Sequence, residues 1–545
     1  MKTILFGAVF SVALALLPAA AAADALIDNV NGITLDKDGK VIHFTGLLMT
    51  VDGHVTRLLQ QGEKRPDRLD WRTDMKGKVL LPGFIDAHGH IMDLGFRALG
   101  LDLSGTHSLD EAKAKIAAYV AANPDKKWIL GGGWNQEAWG LGRFPTAADL
   151  DTVSEGKPIV LDRIDGHAVW ADSAALKEAG VTPATKAPPG GQIKGGVLVD
   201  SARQLVDKVV PQPLARERDV AFIKAQQMLL ADGITATYDM RTQLDDWLVF
   251  RRAADAGNLR MRVVSYANGI EVANRAAGNG PSPWLYGDKL RMVGVKVFED
   301  GALGSRGACL KAPYADDPKN SGQCFLSDEQ LRNTMSRAAM DGFQVAVHAI
   351  GDKANAEVLG AIAALSDTYK GDRRWRIEHA QIVDPADLPK FAEHGIIASM
   401  QPIHAVSDMR MAETRLGPDR LAGAYAWRSM LDNHVPLAFG SDYPNDDFNP
   451  FHGWAAAFTR QDANSEPFGG WQPQQTITRE QAWQAYTIGA AYAAFAEDKF
   501  GRLAPGQRAD FVIVDRDPMM ASASELRDTK VLETWVGGEK MYEAK

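Results

Sequence analysis

Eight short apolar runs, separated by stretches of helical character, constrain this chain more than any other feature. They lie at 83–90, 234–240, 262–268, 291–298, 343–348, 374–379, 396–400 and 436–441. Several are dense in Val and Ile without strict alternation, which is the pattern of strands covered on both faces. Helical signals fill the gaps. The stretch 214–232 sets Phe222, Ala225, Met228 and Leu229 on one face and stops at Gly233, a residue suited to the left-handed turn after a helix. Ser327 with Gln330, and Thr478 with Gln481, have the spacing of capping boxes. Eight strands alternating with helices predict an α/β fold of the (β/α)8 TIM-like barrel type.

Two regions do not fit a bare barrel. The segment 91–213, between the first and second strands, is too long and too rich in strand-like pieces for one crossover, and it predicts an inserted subdomain over the catalytic end. The stretches 26–81 and 499–545 carry short alternating strands with turn signals. They predict a small β-sandwich domain assembled from both ends of the chain, with the barrel and its insertion at 82–498.

Residues 1–25 combine a short basic start, an apolar run from Ile4 to Leu17 and small residues ending in Ala23-Asp24-Ala25. The run is short against the roughly 20 residues of a membrane span, so a secretory signal peptide is expected. The mature protein is then soluble, secreted or periplasmic, with no membrane partner after cleavage. A net charge of −9 without a cluster of Lys or Arg argues against a nucleic-acid partner. Two Cys in 545 residues rule out a disulfide scaffold. Export nevertheless permits a bridge, and Cys309 and Cys324 bracket a turn-rich segment, so one disulfide between them is expected.

The chemistry-bearing residues gather where strands end. In LPGFIDAHGH, His88 and His90 are two residues apart, so a strand sends both to one side, where they can share a borderline metal such as zinc. Such a pair alone is a weak sign. His348, His379 and Asp442 close three later strands, and Lys296 lies in another. Each has a plainer reading taken singly: a core histidine, a lysine reaching for solvent, an aspartate capping a turn. All of them fall together at one end of a barrel, where this fold carries its active sites.

In these motifs the chain resembles the amidohydrolase superfamily, and within it the family-3 branch that includes N-substituted formamide deformylases. The resemblance runs from about Leu47 to Tyr542 and rests on GKVLLPGFIDAHGH, VKVFEDGALGSRGA, HAIGDKAN, RIEHAQ, SMQPIHAVSDM, FGSDYP and GRLAPGQRADFVIVDRDP. It implies one or two divalent metal ions, zinc first among the candidates. His88 and His90 would ligate one, His348 and His379 the second, and Asp442 would complete the first site. The resemblance also puts Lys296 at a position often N-carboxylated in this superfamily, where a carbamate bridges two cations. Unmodified, its ammonium would repel them, and Glu299 or Asp300 would be the alternative ligand of a single-metal centre.

The implied reaction is hydrolysis of an amide-like C–N bond in an N-acyl or N-formyl amine. A zinc ion lowers the pKa of its water to about 7, the hydroxide attacks the carbonyl, and Asp442 moves the proton to the leaving nitrogen. Substrate contacts are expected from Trp134 and His167 in the insertion, from Arg306 and from His404. The chain departs from family habit at Asp172, at Asn445 and in a short QIKGG stretch, changes expected to alter the pocket lining. Ester, lactone or cyclic-amide hydrolysis is the alternative on the same site, and a non-catalytic binding protein on a barrel scaffold is another. The partner expected is a small-molecule substrate, with a homodimer left open.

Overall fold

Dense β-branched runs become strands where a sheet is covered on both sides. In the computed structural model, which describes residues 25–545, all eight runs do so. The expected signal peptide therefore lies, but for Ala25, outside the described residues. The strands are β1 (Phe84–Gly89), β2 (Ile234–Thr242), β3 (Arg262–Asn268), β4 (Leu290–Phe298), β5 (Gln344–Ala349), β6 (Arg376–His379), β7 (Ile397–Met400) and β8 (Leu437–Phe439). They run parallel and in sequence order through one sheet. A parallel bridge between Gly89 and Tyr443 brings the first and last strands together, so the barrel is nearly closed. Strand alternation divides the core. Phe84 and Ile234 pack with helix residues such as Phe222 and Leu229, whereas Ile85, Ala87, Ala236 and Tyr238 belong to a second cluster with Ala490 and Phe500.

Local signals hold where the chain must turn. The helix Ala215–Ala231 ends before Gly233, which takes φ 81°. Both expected capping boxes are formed, Ser327 with Gln330 and Thr478 with Gln481. Among the described residues no helix is long and apolar enough to cross a membrane.

Between β1 and β2 the chain builds a six-stranded sheet, with Ile129–Trp134, Ile159–Arg163 and Ala168–Ala171 adjacent to one another in it. Its core is aromatic, with Trp134, Trp139 and Trp170 in mutual contact. The two chain ends form a further eight-stranded sheet, joined where Val79–Pro82 pairs antiparallel with Phe511–Val514. Its strands are linked in one hydrogen-bonded network. Alternation reports a buried face but not which strand completes the pairing. Arg262 at the start of β3 ties the barrel to this sheet through Asp510, with contacts of 2.5 and 2.7 Å, both side chains buried.

Cys309 and Cys324 are joined in a disulfide that closes the segment after β4. A loop of this length contributes about 3 kcal/mol on the chain-entropy account. Reduction is therefore expected to lower the unfolding free energy by about that amount in urea titrations. Thiol titration of the unreduced, denatured protein should find no reactive thiol; two thiols would reject the bridge.

Candidate active site

The strand ends at the β1–β8 seam are held by a short hydrogen-bond ladder. Asp442 N–H donates to the His88 carbonyl at 2.7 Å, and His90 N–H donates to the Tyr443 carbonyl at 2.8 Å. The buried Asp86 carboxyl accepts from Ser441 Oγ at 2.6 Å and from the backbone N–H of His88 at 3.1 Å. Burial pushes that carboxyl up to about 7. Gly440 permits the close approach, since a Cβ there would stand 2.5 Å from His88 N. Asp442 takes φ 63° and His379 takes φ 73°, left-handed conformations that non-glycine residues rarely adopt and that tend to gather at functional sites.

These constraints bring the expected residues together. Asp442 Oδ1 stands 3.0 Å from His90 Nε2 and 3.4 Å from His88 Nε2, and Lys296 Nζ lies 3.4 Å from His88 Nε2. The rings of His348 and His379 are 4.6 Å apart, and those of His88 and His379 are 4.7 Å apart. His88, His90 and Asp442 place ligand atoms within 4.8 Å of one another, and so do His379, His404 and Asp442. His404, expected as a substrate contact, thus stands within ligand reach, 3.8 Å from Asp442 Oδ2.

The donor chemistry suits a divalent cation. His88 Nδ1 is held by Glu378 Oε2 at 2.6 Å and His379 Nδ1 by Gln401 Oε1 at 2.9 Å, which leaves both Nε2 atoms for the centre. Among the described residues, His348 Nε2 and Asp442 Oδ1 are buried without a well-aligned hydrogen bond, although each has a carboxyl or imidazole neighbour within 3.5 Å. Burial pushes His88 down to about 4 and His348 and His379 well below the ordinary imidazole value, so all three are neutral with lone pairs available. Burial alone would raise the Asp442 carboxyl; the hydrogen bond with His90, the largest of the opposing effects, helps hold it well below the usual carboxylate range. Burial also brings Lys296 down to about 8. Of the alternative ligands, Asp300 stays close to the centre, with Oδ1 3.5 Å from His348 Nε2, whereas Glu299 is buried with both carboxylate oxygens free of hydrogen bonds among the described residues. Asp300 accepts three backbone N–H bonds, from Cys309, Ile350 and Gly351, and Glu299 lies beside Cys324 and Glu357.

The centre opens into a cavity of about 1290 Å³ shared by the barrel loops and the inserted sheet. His167 lines it, with Nδ1 2.9 Å from Asp200, and His404 lines it too. Trp134 does not. It is fully buried in the insertion, its Nε1–H donates to the Leu161 carbonyl at 2.8 Å, and it packs on Trp170, so its role is to fill that core. Arg306 also lies outside the lining, where Asp316 holds it at 2.7 Å. Asp172 caps the helix Ser173–Glu178 instead of shaping the pocket. Asn445 lines the cavity and donates to Asp442 Oδ2 at 3.1 Å. Glu378, Arg376 and Gln401 went unread in the sequence. Their one local sign is that Arg376 and Glu378, two apart on β6, share a face.

Comparison with known proteins agrees with this arrangement. The sequence model of the amidohydrolase family matches residues 73–542. The chain is 35% identical over 496 residues to Protein LONG AFTER FAR-RED 3 of Arabidopsis thaliana, covering 86% of this chain and 83% of that protein. It is 27% identical over 549 residues to the N-substituted formamide deformylase of Arthrobacter pascens, covering 95% of this chain and 98% of that one. Among solved structures, an uncharacterized metal-dependent hydrolase from Pyrococcus horikoshii superimposes with a TM-score of 0.74 at 26% identity, covering 92% of this chain and 99% of that chain.

Proposed function

The chain belongs to the amidohydrolase family and is a hydrolase acting on carbon–nitrogen bonds, and from that premise we propose that it cleaves N-acyl or N-formyl amines outside the cytoplasm. The observation that carries the reading is the convergence of His88, His90, His379 and His404 on the buried Asp442 carboxylate at the base of the cavity. His88, His90 and Asp442 would hold one divalent ion, zinc by the nitrogen-rich donor set, and His348 and His379, with His404 in reach, a second. When bound, such an ion supplies Lewis acidity and an activated water. Asp442, ionised at neutral pH, accepts the proton from the attacking water and delivers it to the amide nitrogen. The C–N bond then breaks, giving a carboxylic acid, or formate from a formyl group, and an amine. His167 and His404 face the cavity and are placed to orient the carbonyl oxygen. Lys296, at about 8, is partly a free amine near neutrality, the form that reacts with carbon dioxide to give a carbamate and a proton.

The test is an activity screen of metal-replete enzyme against N-formyl amines, N-acyl amines, lactones and cyclic imides. Amine release from the first two classes is expected, with turnover that falls when bicarbonate is stripped from the buffer. Turnover of lactones alone would move the substrate to the ester class. Activity indifferent to bicarbonate, with an unmodified Lys296 by native mass spectrometry, would remove the carbamate from the site.

A further inference from the structure

The cavity wall carries more charge than the proposed chemistry uses; three of its arginines are paired with carboxylates, and Arg410 is exposed to solvent. Arg241 meets Asp93 at 2.9 Å, Arg203 meets Asp162 at 2.6 Å, and Arg163 is bound to Asp165. Arg97 is different. It sits near the end of the helix Ile91–Leu99, which starts directly after His90, and it lines the same cavity as His90 and Asp442. Its Nη1 donates to the carbonyl oxygen of Pro444. Among the described residues it has no carboxylate within 4.0 Å. A carbonyl fixes a guanidinium in place without neutralising it, and leaves most of its five N–H donors free.

We propose that Arg97 is a specificity-determining residue that binds a carboxylate on the substrate, so that the amides cleaved are N-acyl or N-formyl derivatives of amino acids instead of plain amines. This rests on the amide reading of the site. A half-buried guanidinium without a counter-ion has lost hydration that distant acids restore only in part. Burial indeed lowers the Arg97 pKa, with Asp162, Asp102 and Asp93 pulling it back. A substrate carboxylate supplies the missing charge, and its two oxygens match the planar fork of donors. The anchoring carbonyl belongs to the segment that presents Asp442, so an anion held at Arg97 is tied to the part of the site that handles the leaving nitrogen.

Two acids on the same wall do not make an equal case for a cationic substrate. Asp408 accepts from Gln381 and Tyr425, and Asp446 accepts from Ser407. Burial raises both carboxyls, Asp446 to about 6, so each has donors already and a weakened charge.

The experiment compares N-formylphenylglycine with N-formylbenzylamine, which lacks only the carboxylate. Binding is measured by calorimetry and turnover by amine release, in metal-loaded wild type, Arg97→Met and Arg97→Lys. Wild type is expected to bind the carboxylate-bearing amide about 10- to 100-fold more tightly. Arg97→Met should bring that ratio close to one, and Arg97→Lys should keep part of it, which separates lost charge from lost fold. Equal binding in wild type, no binding of either compound, or a preference that survives Arg97→Met overturns the inference. Preferential binding without hydrolysis of either amide would sink the amide reading and leave Arg97 as an anion site.

Discussion

Asp442→Asn is expected to lower kcat by roughly 10²- to 10⁴-fold, the range of a lost general acid–base group. The carboxylate is in contact with both His88 and His90 at the base of the cavity. An amide of the same shape can neither take the proton of the attacking water nor hand one to the leaving nitrogen. Asn is the informative replacement because of the backbone. Residue 442 sits at φ 63°, a conformation that Asn adopts more readily than most residues, and its N–H bond to the His88 carbonyl does not involve the side chain. The variant should therefore fold normally, with its thermal midpoint close to that of wild type. Metal content measured on the same preparation separates two roles. Loss of activity with the metal retained makes Asp442 chiefly the proton shuttle, whereas loss of both makes it chiefly a ligand. A kcat within tenfold of wild type at full metal loading would show that the proton travels by another group.

The barrel was legible because its strands are buried on both faces and leave dense apolar runs that need no long-range information to recognise. The histidines at 88, 90, 348 and 379 were legible for a related reason: they close those runs, and strand ends are where a barrel keeps its chemistry. What failed to show depended on contacts the sequence does not encode locally. Trp134 lies in a glycine-rich motif that reads the same over a pocket as in a core, and only Trp139 and Trp170 decide the matter. Arg306 looks like a free substrate contact until the chain returns with Asp316. The meeting of the two chain ends was legible as alternating strands, but which strand joins them, Val79–Pro82 to Phe511–Val514, is a property of pairing and not of alternation. Glu378 is the clearest case. It stands beside His379 in the motif RIEH, yet its partner His88 is 290 residues away.

That hidden carboxylate carries the largest stability effect. Glu378→Gln is expected to cost about 3–5 kcal/mol, the usual result of removing one partner from a buried ion pair. Arg376 and Glu378 are both fully buried, with Arg376 Nε 2.7 Å from Glu378 Oε1, and Arg376 also donates to Ser399 Oγ at 2.8 Å and to the Ala87 carbonyl at 2.8 Å. A glutamine keeps the shape but leaves the guanidinium without a counter-charge in the barrel interior. It also loosens His88, whose Nδ1 the carboxylate holds, so metal retention should weaken about 10- to 100-fold. The pH dependence has a definite sign. Burial alone would raise the Glu378 carboxyl, but Arg376 and His88 outweigh it and hold it far below the usual range. A group depressed in the folded state contributes its full stability above the unfolded carboxyl pKa of about 4.3 and loses it as pH falls further. The gap between wild type and Glu378→Gln in urea unfolding should accordingly be constant around neutrality and shrink below about pH 4. A neutral-pH difference under about 1 kcal/mol would mean that water or a shifted side chain compensates Arg376, and the carboxylate would then be dispensable to the barrel.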